Sequence, residues 1–262
     1  MKRKPVTEIP EHFPEELRDL IRGCSLYDSS CSADARVWLL EGRESYYLKT
    51  AAAGALKQEA EMTGYFHSKH LSAEVMGYLT GEKDWLLTRA IPGEDCTFYK
   101  YREDPARLCD TVAVLLRQLH ELTHRDCPVQ NHRDRYLAAV CRNHRSGFCD
   151  LTLFPEKGWG FSSPEEAWAL VEQNSAYLKN DTLLHGDYCL PNILLKDWRF
   201  SGFIDVGRGG VGDRHIDLFW GVWTLFFNLK TNAYYDRFLD AYGRDLAEPE
   251  MLRLIAACEV FL

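Results

Sequence analysis

The sequence lacks an excess of positive charge: its 262 residues include 31 lysines and arginines against 39 acids, a formal net charge of −8. General nucleic-acid binding needs a basic face that displaces counterions, so the charge argues against this class of protein. The sequence also lacks any C-x-x-C pair, and its nine cysteines are odd in number and scattered. Because a disulfide framework is denser and typical of shorter secreted chains, the pattern predicts reduced thiols in a cytoplasmic protein.

Long apolar segments are missing as well. The most apolar run, 216–229, is too short to span a bilayer and contains Asp217, so it predicts a buried helix. The first 13 residues include basic side chains but no apolar stretch behind them, which argues against a signal peptide. We therefore expect a globular enzyme that does not associate with membranes.

The order of the predicted elements divides the chain in two. A hairpin around Glu41–Arg43 and further β-rich runs dominate the first 90 residues. After Pro92 and Gly93, which suggest a hinge, nearly every pattern has a helical period. These patterns predict an α+β fold with a β-rich N-terminal lobe, 1–90, and a mainly helical C-terminal lobe, 91–262. The predicted helices span 15–22, 55–70, 104–122, 136–143 and 163–178.

The residues that suggest chemistry lie between 183 and 217. Asp187 and Asn192 are five residues apart in a loop after an apolar strand. Two β-like runs follow around a turn near 197–198, and folding this hairpin about its midpoint brings Asn192 opposite Asp205. One region therefore presents a carboxylate base, an amide oxygen and a second carboxylate.

Phosphoryl transfer requires this combination of groups. Hard oxygen ligands hold Mg²⁺, which bridges the nucleotide phosphates. A separate carboxylate orients the acceptor hydroxyl or accepts its proton. The pattern H-G-D-x-x-x-x-N, with I-D ending thirteen residues after the Asn, resembles a kinase catalytic loop and its metal-binding Asp. The spacing thus predicts a phosphotransferase.

Two motifs, HGDYCLPN at 185–192 and RFSGFIDVGRGGVGDR at 199–214, show which phosphotransferases the chain resembles. It is similar to the aminoglycoside phosphotransferases, particularly the kanamycin and neomycin 3′-hydroxyl kinases, over nearly its whole length. This resemblance implies a two-lobed, protein-kinase-like fold. It also implies transfer of the γ-phosphate of ATP, or of GTP, to a hydroxyl of a polycationic aminoglycoside. Asp187 is then the catalytic base, and Asn192 and Asp205 bind Mg²⁺.

The same resemblance assigns the nucleotide contacts. Lys49 touches the α- and β-phosphates and pairs with Glu59 on the next helix, for which Glu61 is a competing partner. Tyr47 stacks on the purine ring. The hinge binds the base through its backbone, and a hydroxyl before the first hairpin covers the phosphates. The hinge residues are Thr88, Arg89 and Ile91, and the residue that covers the phosphates is Ser32.

The acceptor pocket departs from the pattern of the antibiotic kinases. Glu156 and Glu259 retain the acidity that a cationic substrate needs. The helix position that carries Asp in those enzymes is Asn228, beside Phe227, and the loop 151–154 is apolar where acids are expected. These differences leave a second acceptor class open: a different hydroxylated amine or polyol, phosphorylated by the same chemistry.

Two other classes of protein are alternatives to a kinase. The run 120–124, HELTH, matches the H-E-x-x-H pattern of zinc peptidases. However, the apolar stripe of this helix fades by Leu122 and Cys127-Pro128 breaks it, which argues against a zinc site. The family resemblance implies that His120 is a scaffold residue. The other class is a kinase-like fold that binds nucleotide without catalysis. Such a protein is marked by loss of the base, the lysine or the metal ligands, all of which this sequence has.

Overall fold

The computed structural model describes residues 4–6, 13–31, 34–153 and 160–262. Residue contacts divide the chain into two units: unit 1 is Met1–Asp95 with Leu194–Gly207, and unit 2 is Cys96–Ile193 with Arg208–Leu262. The sequence placed all of 91–262 in one lobe. Residues 194–207 instead group with the N-terminal segment, because Leu194 and Leu195 pair with Asp95 and Glu94.

The described strands are mostly short. In chain order they are β1 (Lys4–Val6), β2 (Ser25–Asp28), β3 (Ala35–Glu41), β4 (Ser45–Ala52), β5 (Val75–Thr80), β6 (Lys83–Arg89), β7 (Glu94–Asp95), β8 (Thr182–Leu184), β9 (Ile193–Lys196), β10 (Arg199–Phe203) and β11 (Gly210–Gly212). Over the described residues they form a sheet of order β1-β2-β3-β4-β6-β5, a sheet of order β10-β9-β7, and the pair β11-β8. The first sheet is antiparallel throughout.

Strand β4 places the residues of the predicted nucleotide site. Burial alternates along it: Tyr46, Leu48 and Thr50 are buried, whereas Tyr47 and Lys49 are partly exposed on the opposite face. This alternation follows from the two-residue period of a strand. The apolar face of the sheet covers a core that includes Phe13, Leu17, Ile21, Trp38, Leu40, Trp85 and Leu87.

Helices make up most of unit 2. In chain order the helices of the whole described chain are α1 (Glu15–Ile21), α2 (Lys57–Ser68), α3 (Tyr99–Arg102), α4 (Pro105–His120), α5 (His132–Arg145), α6 (Pro164–Asn174), α7 (His215–Leu229), α8 (Tyr235–Tyr242) and α9 (Pro249–Glu259). Helix α6 begins as the sequence predicts: the Ser163 hydroxyl accepts a hydrogen bond from the Glu166 backbone N–H, and Pro164 occupies the first turn. Helix α7 is the buried helix expected at 216–229.

Two further expectations concern the chain as a whole. No helix in the described ranges is both long enough and apolar enough to cross a bilayer. All nine cysteines lie in described ranges, and no disulfide links them there.

Candidate active site

Unit 1 brings together three of the predicted site residues. The Lys49 ammonium lies 2.7 Å from Glu59 Oε2 and 3.0 Å from Glu59 Oε1, and also 3.0 Å from Asp205 Oδ1. Lys49 projects from the partly exposed face of β4, and Glu59 from the first turn of α2. Of the two helix acids considered for this pair, the structure therefore places Glu59 on Lys49.

This cluster sets the charge of its members. Burial opposes protonation of Lys49, but the carboxylates of Asp205 and Glu59 outweigh it and raise the pKa of Lys49 above its ordinary value. Burial also raises the pKa of Glu59, against the attraction of Lys49. The lysine is therefore a permanent cation held between two acids, a form suited to binding phosphate oxygens.

The segment that follows Asp205 is fixed against α2. Asp205 has a left-handed backbone (φ 58°), and Gln58 Nε2 donates to the Gly207 carbonyl at 2.8 Å. A Cβ on Gly207 would lie 3.0 Å from the Cβ of Glu59, so glycine permits this close approach. The backbone thus holds the Asp205 carboxylate at the lysine.

The residues predicted to meet the base lie on β4 and β6. Thr88 is directly opposite Tyr47 in the register of these strands, so the two side chains share the face that carries Lys49. Arg89 is opposite Tyr46 and therefore belongs to the other face, where it pairs with Glu44 and Glu74.

The backbone of the predicted hinge is partly used within the protein. The N–H of Arg89 donates to the Glu74 carbonyl at 2.9 Å, and that of Ala90 donates to the Ser45 carbonyl at 2.9 Å. Ile91 packs its side chain against Gly202, where a Cβ would lie 2.6 Å from Ile91 Cδ1. The N–H of Ile91 and the backbone carbonyls of the hinge are therefore the candidates for hydrogen bonds to the nucleotide base.

Unit 2 contains the loop with the predicted catalytic base. Asn192 Nδ2 donates to Asp187 Oδ2 at 2.9 Å and to the Asp187 carbonyl at 3.0 Å. These two bonds fix both side chains, and they direct the amide oxygen of Asn192 away from Asp187. The loop thus presents a carboxylate and a separate amide oxygen, as the five-residue spacing suggested.

A buried acid from α7 holds the start of this loop. Asp217 is fully buried and accepts hydrogen bonds from the backbone N–H of His185 (2.7 Å) and of Gly186 (2.8 Å) and from His120 Nε2 (3.2 Å). Burial alone would raise the pKa of Asp217, but these bonds and the neighbouring histidines lower it below its ordinary value. Asp217 is therefore a structural support of the loop.

Helix α7 also meets the end of the loop at Thr224, which lies about two turns after Asp217 on the same helix face. The Leu190 N–H donates to the Thr224 hydroxyl at 3.1 Å, and Asn228 Nδ2 bonds to the Thr224 carbonyl at 2.8 Å and hydroxyl at 3.1 Å. Asn228 is thus tied to its own helix. Phe227 is half exposed, and its ring stacks on Trp223 with centroids 4.8 Å apart.

The other predicted acceptor acid, Glu259, is at the end of α9. It is only 3% exposed, and its Oε1 accepts a hydrogen bond from the Tyr136 hydroxyl at 2.8 Å. Burial raises the pKa of Glu259 to about 7; Tyr136, Arg208 and Trp220 act in the opposite direction, and Asp187 adds to the rise. A carboxyl that titrates near neutrality is a functional-site candidate.

Two predicted site residues, Ser32 and Glu156, lie outside the described residues. The structure also draws attention to two residues on α5 that were not singled out from the sequence, His132 and Tyr136. Each contacts a residue more than 70 positions away in the chain, His132 the carbonyl of Arg208 and Tyr136 the side chain of Glu259. Their four-residue spacing is the one local signal that could have drawn attention to them.

Only the first residue of the zinc-like motif HELTH lies on a helix. Helix α4 ends at His120, whose ring nitrogens meet the Tyr242 hydroxyl (2.8 Å) and Asp217 (3.2 Å). His124 instead contacts the Asp181 carbonyl at 3.0 Å. The described residues contain no group of three or more His, Cys, Asp or Glu side chains placed to hold a metal ion. His120 is thus the scaffold residue that the family resemblance implied.

Comparison with known proteins identifies the family of the chain. The profile of the phosphotransferase enzyme family, APH, matches residues 28–254. A probable aminoglycoside 3′-phosphotransferase of Lactococcus lactis subsp. lactis is 46% identical over 252 residues, covering 96% of this chain and 95% of the relative.

Solved structures give the fold. The crystal structure of a type VIII aminoglycoside 3′-phosphotransferase is 27% identical, has a TM-score of 0.73, and matches 95% of this chain and 100% of its own. An aminoglycoside phosphotransferase from Streptomyces rimosus, solved with ADP and streptomycin, is 22% identical with a TM-score of 0.67 over 90% of this chain and 93% of its own. The predicted protein-kinase-like α+β fold is therefore confirmed. The chain belongs to the APH phosphotransferase enzyme family.

Proposed function

We propose that the protein transfers the γ-phosphoryl group of ATP to the 3′-hydroxyl of an aminoglycoside. The observation that carries this proposal is the catalytic loop, in which Asn192 fixes the Asp187 carboxylate and Asp217 holds the backbone before it. Support for the acceptor class comes from the 46% identical relative, which is named a probable aminoglycoside 3′-phosphotransferase. A cytoplasmic location is part of this proposal, because the odd number and scattered positions of the cysteines favour reduced thiols and ATP is found there.

Asp187 is the proposed catalytic base. Its carboxylate accepts the proton of the acceptor hydroxyl as the hydroxyl oxygen forms a bond to the γ-phosphorus. The bond from that phosphorus to the β–γ bridging oxygen breaks, and ADP leaves with the electron pair. Asn192 has a positioning function in this step, because its two hydrogen bonds hold Asp187 in one orientation.

Lys49 is the proposed phosphate ligand. It is a cation fixed by Glu59 and Asp205, so its position is set before the nucleotide arrives. Tyr47 and Thr88 share its face of the sheet, which supports a purine on Tyr47 and base contacts from the backbone at Thr88, Arg89 and Ile91. Ser32 is proposed to cover the phosphates.

The residues fit a Mg²⁺ ion by the chemistry of their donors. The amide of Asn192 uses its nitrogen within the loop, which leaves the oxygen as an acceptor. The Asp205 carboxylate uses Oδ1 for Lys49 and its side chain is half exposed. Hard oxygen donors of this kind suit Mg²⁺, so we assign the metal to Asn192 and Asp205. When bound, Mg²⁺ supplies neutralisation of the phosphate charge.

A cationic acceptor requires acids, and Glu259 and Glu156 are the proposed acidic contacts. Asn228 is the proposed neutral contact. The carboxylate of Glu259 is held by a hydrogen bond from the Tyr136 hydroxyl. The neutral Asn228 and the exposed ring of Phe227 favour a second candidate, the same chemistry on a different hydroxylated amine or polyol. The two functions differ only in the acceptor.

The test is a steady-state assay of ADP and GDP release with Mg²⁺ over kanamycin, neomycin and a panel of unrelated amino-alcohols and polyols. We expect strong stimulation by kanamycin and none by its 3′-deoxy analogue, since that analogue lacks the hydroxyl that accepts the phosphoryl group. Stimulation only by another member of the panel would select the second candidate. No stimulation by any acceptor would overturn the proposal.

Asp187→Asn tests the base in the same assay. The substitution keeps the shape of the side chain but removes its basicity, so we expect kcat to fall by about 10²- to 10⁴-fold. The Kd for ATP, measured by calorimetry, should stay within about twofold, because Asp187 is not a proposed nucleotide ligand. Exposed Asp126, changed to Asn, is the matched control. A kcat for Asp187→Asn equal to that of the control would rule out Asp187 as the base.

A further inference from the structure

Helix α5 directs three polar side chains at distant parts of unit 2. His132 contacts the Arg208 carbonyl, Tyr136 contacts Glu259, and Asn143 contacts the Phe261 carbonyl. Their spacings, four and seven residues, place all three on one face of the helix. We call these three residues the α5 stripe. It links the segment beside the catalytic loop to the acceptor acid and to the C-terminal residues.

His132 fixes the first of these points. Its Nε2 lies 2.9 Å from the Arg208 carbonyl, and a carbonyl only accepts, so Nε2 carries the proton. Its Nδ1 is buried against Gly212 and has no hydrogen-bond partner among the described residues, which fits the neutral ring. Burial also lowers the pKa of His132. His132 is therefore a fixed neutral donor.

The Arg208 carbonyl is in turn packed on the catalytic loop. A Cβ placed on Gly186 would lie 2.0 Å from this oxygen, so the two backbones are in direct contact. Gly186 immediately precedes the proposed base, Asp187. Through Arg208, the hydrogen bond from His132 thus limits where the loop before the base can move.

Tyr136 and Asn143 fix the other end. The Tyr136 hydroxyl donates to Glu259 Oε1 at 2.8 Å, and Asn143 Nδ2 donates to the Phe261 carbonyl at 2.8 Å. The end of α9 is therefore held at Glu259, and the chain that follows it is held at Phe261. The rings of His132 and Tyr136 are also stacked, with centroids 6.0 Å apart and planes at 23°. This ring contact joins the residue that binds Arg208 to the residue that binds Glu259.

We propose that the α5 stripe positions the acceptor acid Glu259 relative to the catalytic loop, with Tyr136 acting on acceptor binding and His132 on the chemical step. This inference rests on the proposed function, since it takes Glu259 as a contact of the cationic acceptor. Neither Tyr136 nor His132 is assigned a contact with substrate. Both are positioning residues, which act through Glu259 and through the Arg208 carbonyl.

Tyr136→Phe removes one hydroxyl and keeps the ring. We expect the KM for kanamycin to rise about tenfold, the effect of losing one hydrogen bond to a charged group. The KM for ATP should stay within twofold, because Tyr136 is not a proposed nucleotide ligand. Tyr177→Phe is the matched control, since its side chain is 66% exposed. An equal kanamycin KM in the two variants would overturn the role of Tyr136.

The role of His132 is tested by two substitutions, one that removes the hydrogen-bond donor and one that keeps a donor without the ring. His132→Leu removes the donor to Arg208, and we expect kcat to fall about tenfold while the KM for kanamycin changes less than twofold. His132→Gln carries an N–H at a similar reach and should recover most of this loss. Thermal unfolding of both variants separates a folding defect from a rate effect. Equal kcat in the two variants, with similar Tm, would show that the hydrogen bond does not position the loop.

A readout without turnover separates this inference from the proposed function. A hydrogen bond from Tyr136 favours the ionised form of Glu259, so Tyr136→Phe should raise the pKa of that carboxyl further. Carbon NMR of protein labelled at glutamate measures it, with Glu259→Gln as the assignment control. An unchanged pKa would overturn the stripe even in an active enzyme. An inactive wild type with the expected pKa change would instead overturn only the aminoglycoside function.

Discussion

Gly186 shows how one residue can be set by sterics alone. Its φ is +84°, in the left-handed region, and a Cβ there would lie 2.0 Å from the Arg208 oxygen and 2.3 Å from the Arg208 carbonyl carbon. Both atoms belong to the backbone, which cannot turn aside as a side chain can. The glycine of H-G-D therefore permits the loop backbone to approach Arg208 and places Asp187 next in the chain.

Gly186→Ala should consequently lower the free energy of unfolding by about 3 kcal/mol and reduce kcat with it. Gly64→Ala is the control within the same chain. Gly64 lies inside helix α2 with open space around its Cα, so alanine should stabilise the protein by up to ~1 kcal/mol through helix propensity. Chemical denaturation measures both values. If the two variants unfold at the same denaturant concentration, the contact at Arg208 is not tight.

Glu259 links acceptor binding to pH. Because burial raises its pKa from 4.5 to about 7, the folded state holds this proton more tightly than the unfolded state does. Folding therefore takes up a proton between pH 4.5 and 7, and the stability contribution of Glu259 falls by about 3 kcal/mol as pH rises through that window. An ionised Glu259 is nevertheless the form that attracts an ammonium group.

We expect the KM for kanamycin to fall as pH rises from 6 to 8, because the carboxylate form of Glu259 becomes populated. The amines of the acceptor titrate too, so Glu259→Gln is measured over the same range to remove their effect. The variant should show a higher KM that depends less on pH. Parallel pH profiles for the two proteins would mean that Glu259 does not contact the acceptor.

Helices with a clear apolar stripe were predictable as elements, although not at their ends. Helix α4 was expected over 104–122 and spans Pro105–His120, where the stripe fades. Helix α5 was expected over 136–143 and spans His132–Arg145, because its additional turns are polar and carry no hydrophobic period. The expected helix 163–178 ends at Asn174 and continues as a 3-10 turn, Ser175–Tyr177.

Short strands were not predictable by the same reasoning. Strand β8 is the apolar strand expected before the Asp187 loop, but strands β7 and β11 have two and three residues, too few to display a period of two. They form because partners distant in the sequence supply the hydrogen bonds: Glu94 pairs with Leu195, and Asp95 pairs with Leu194. This pairing explains why residues 194–207 belong to unit 1 and not to the helical unit.

The same distinction applies to the site. The loop of Asp187 and Asn192 is local, so its spacing alone indicated that the two side chains meet. Lys49 and Glu59 are ten residues apart on adjacent elements and required the family resemblance. The partner of Tyr136 lies 123 residues away, a contact for which the sequence contains no local signal.

At the scale of the whole molecule, charge and chemistry are consistent with one class of substrate. A net charge of −8 attracts a polycationic acceptor at long range and repels a nucleotide. The nucleotide therefore needs a local cation, and the proposed one is Lys49, which two carboxylates keep protonated. An acidic protein with a small basic position is thus suited to bringing together ATP and an aminoglycoside.

The metal requirement of the molecule separates a kinase from a zinc peptidase. We expect removal of divalent ions with EDTA to abolish phosphoryl transfer, and Mg²⁺ alone to restore it, because hard oxygen donors at Asn192 and Asp205 favour Mg²⁺. A zinc-selective chelator should leave the rate unchanged. The histidines of HELTH support this, since His120 is committed to Asp217 and Tyr242 and His124 to the Asp181 carbonyl. One zinc ion per chain by elemental analysis, with activity lost on its removal, would contradict the assignment and restore the peptidase alternative.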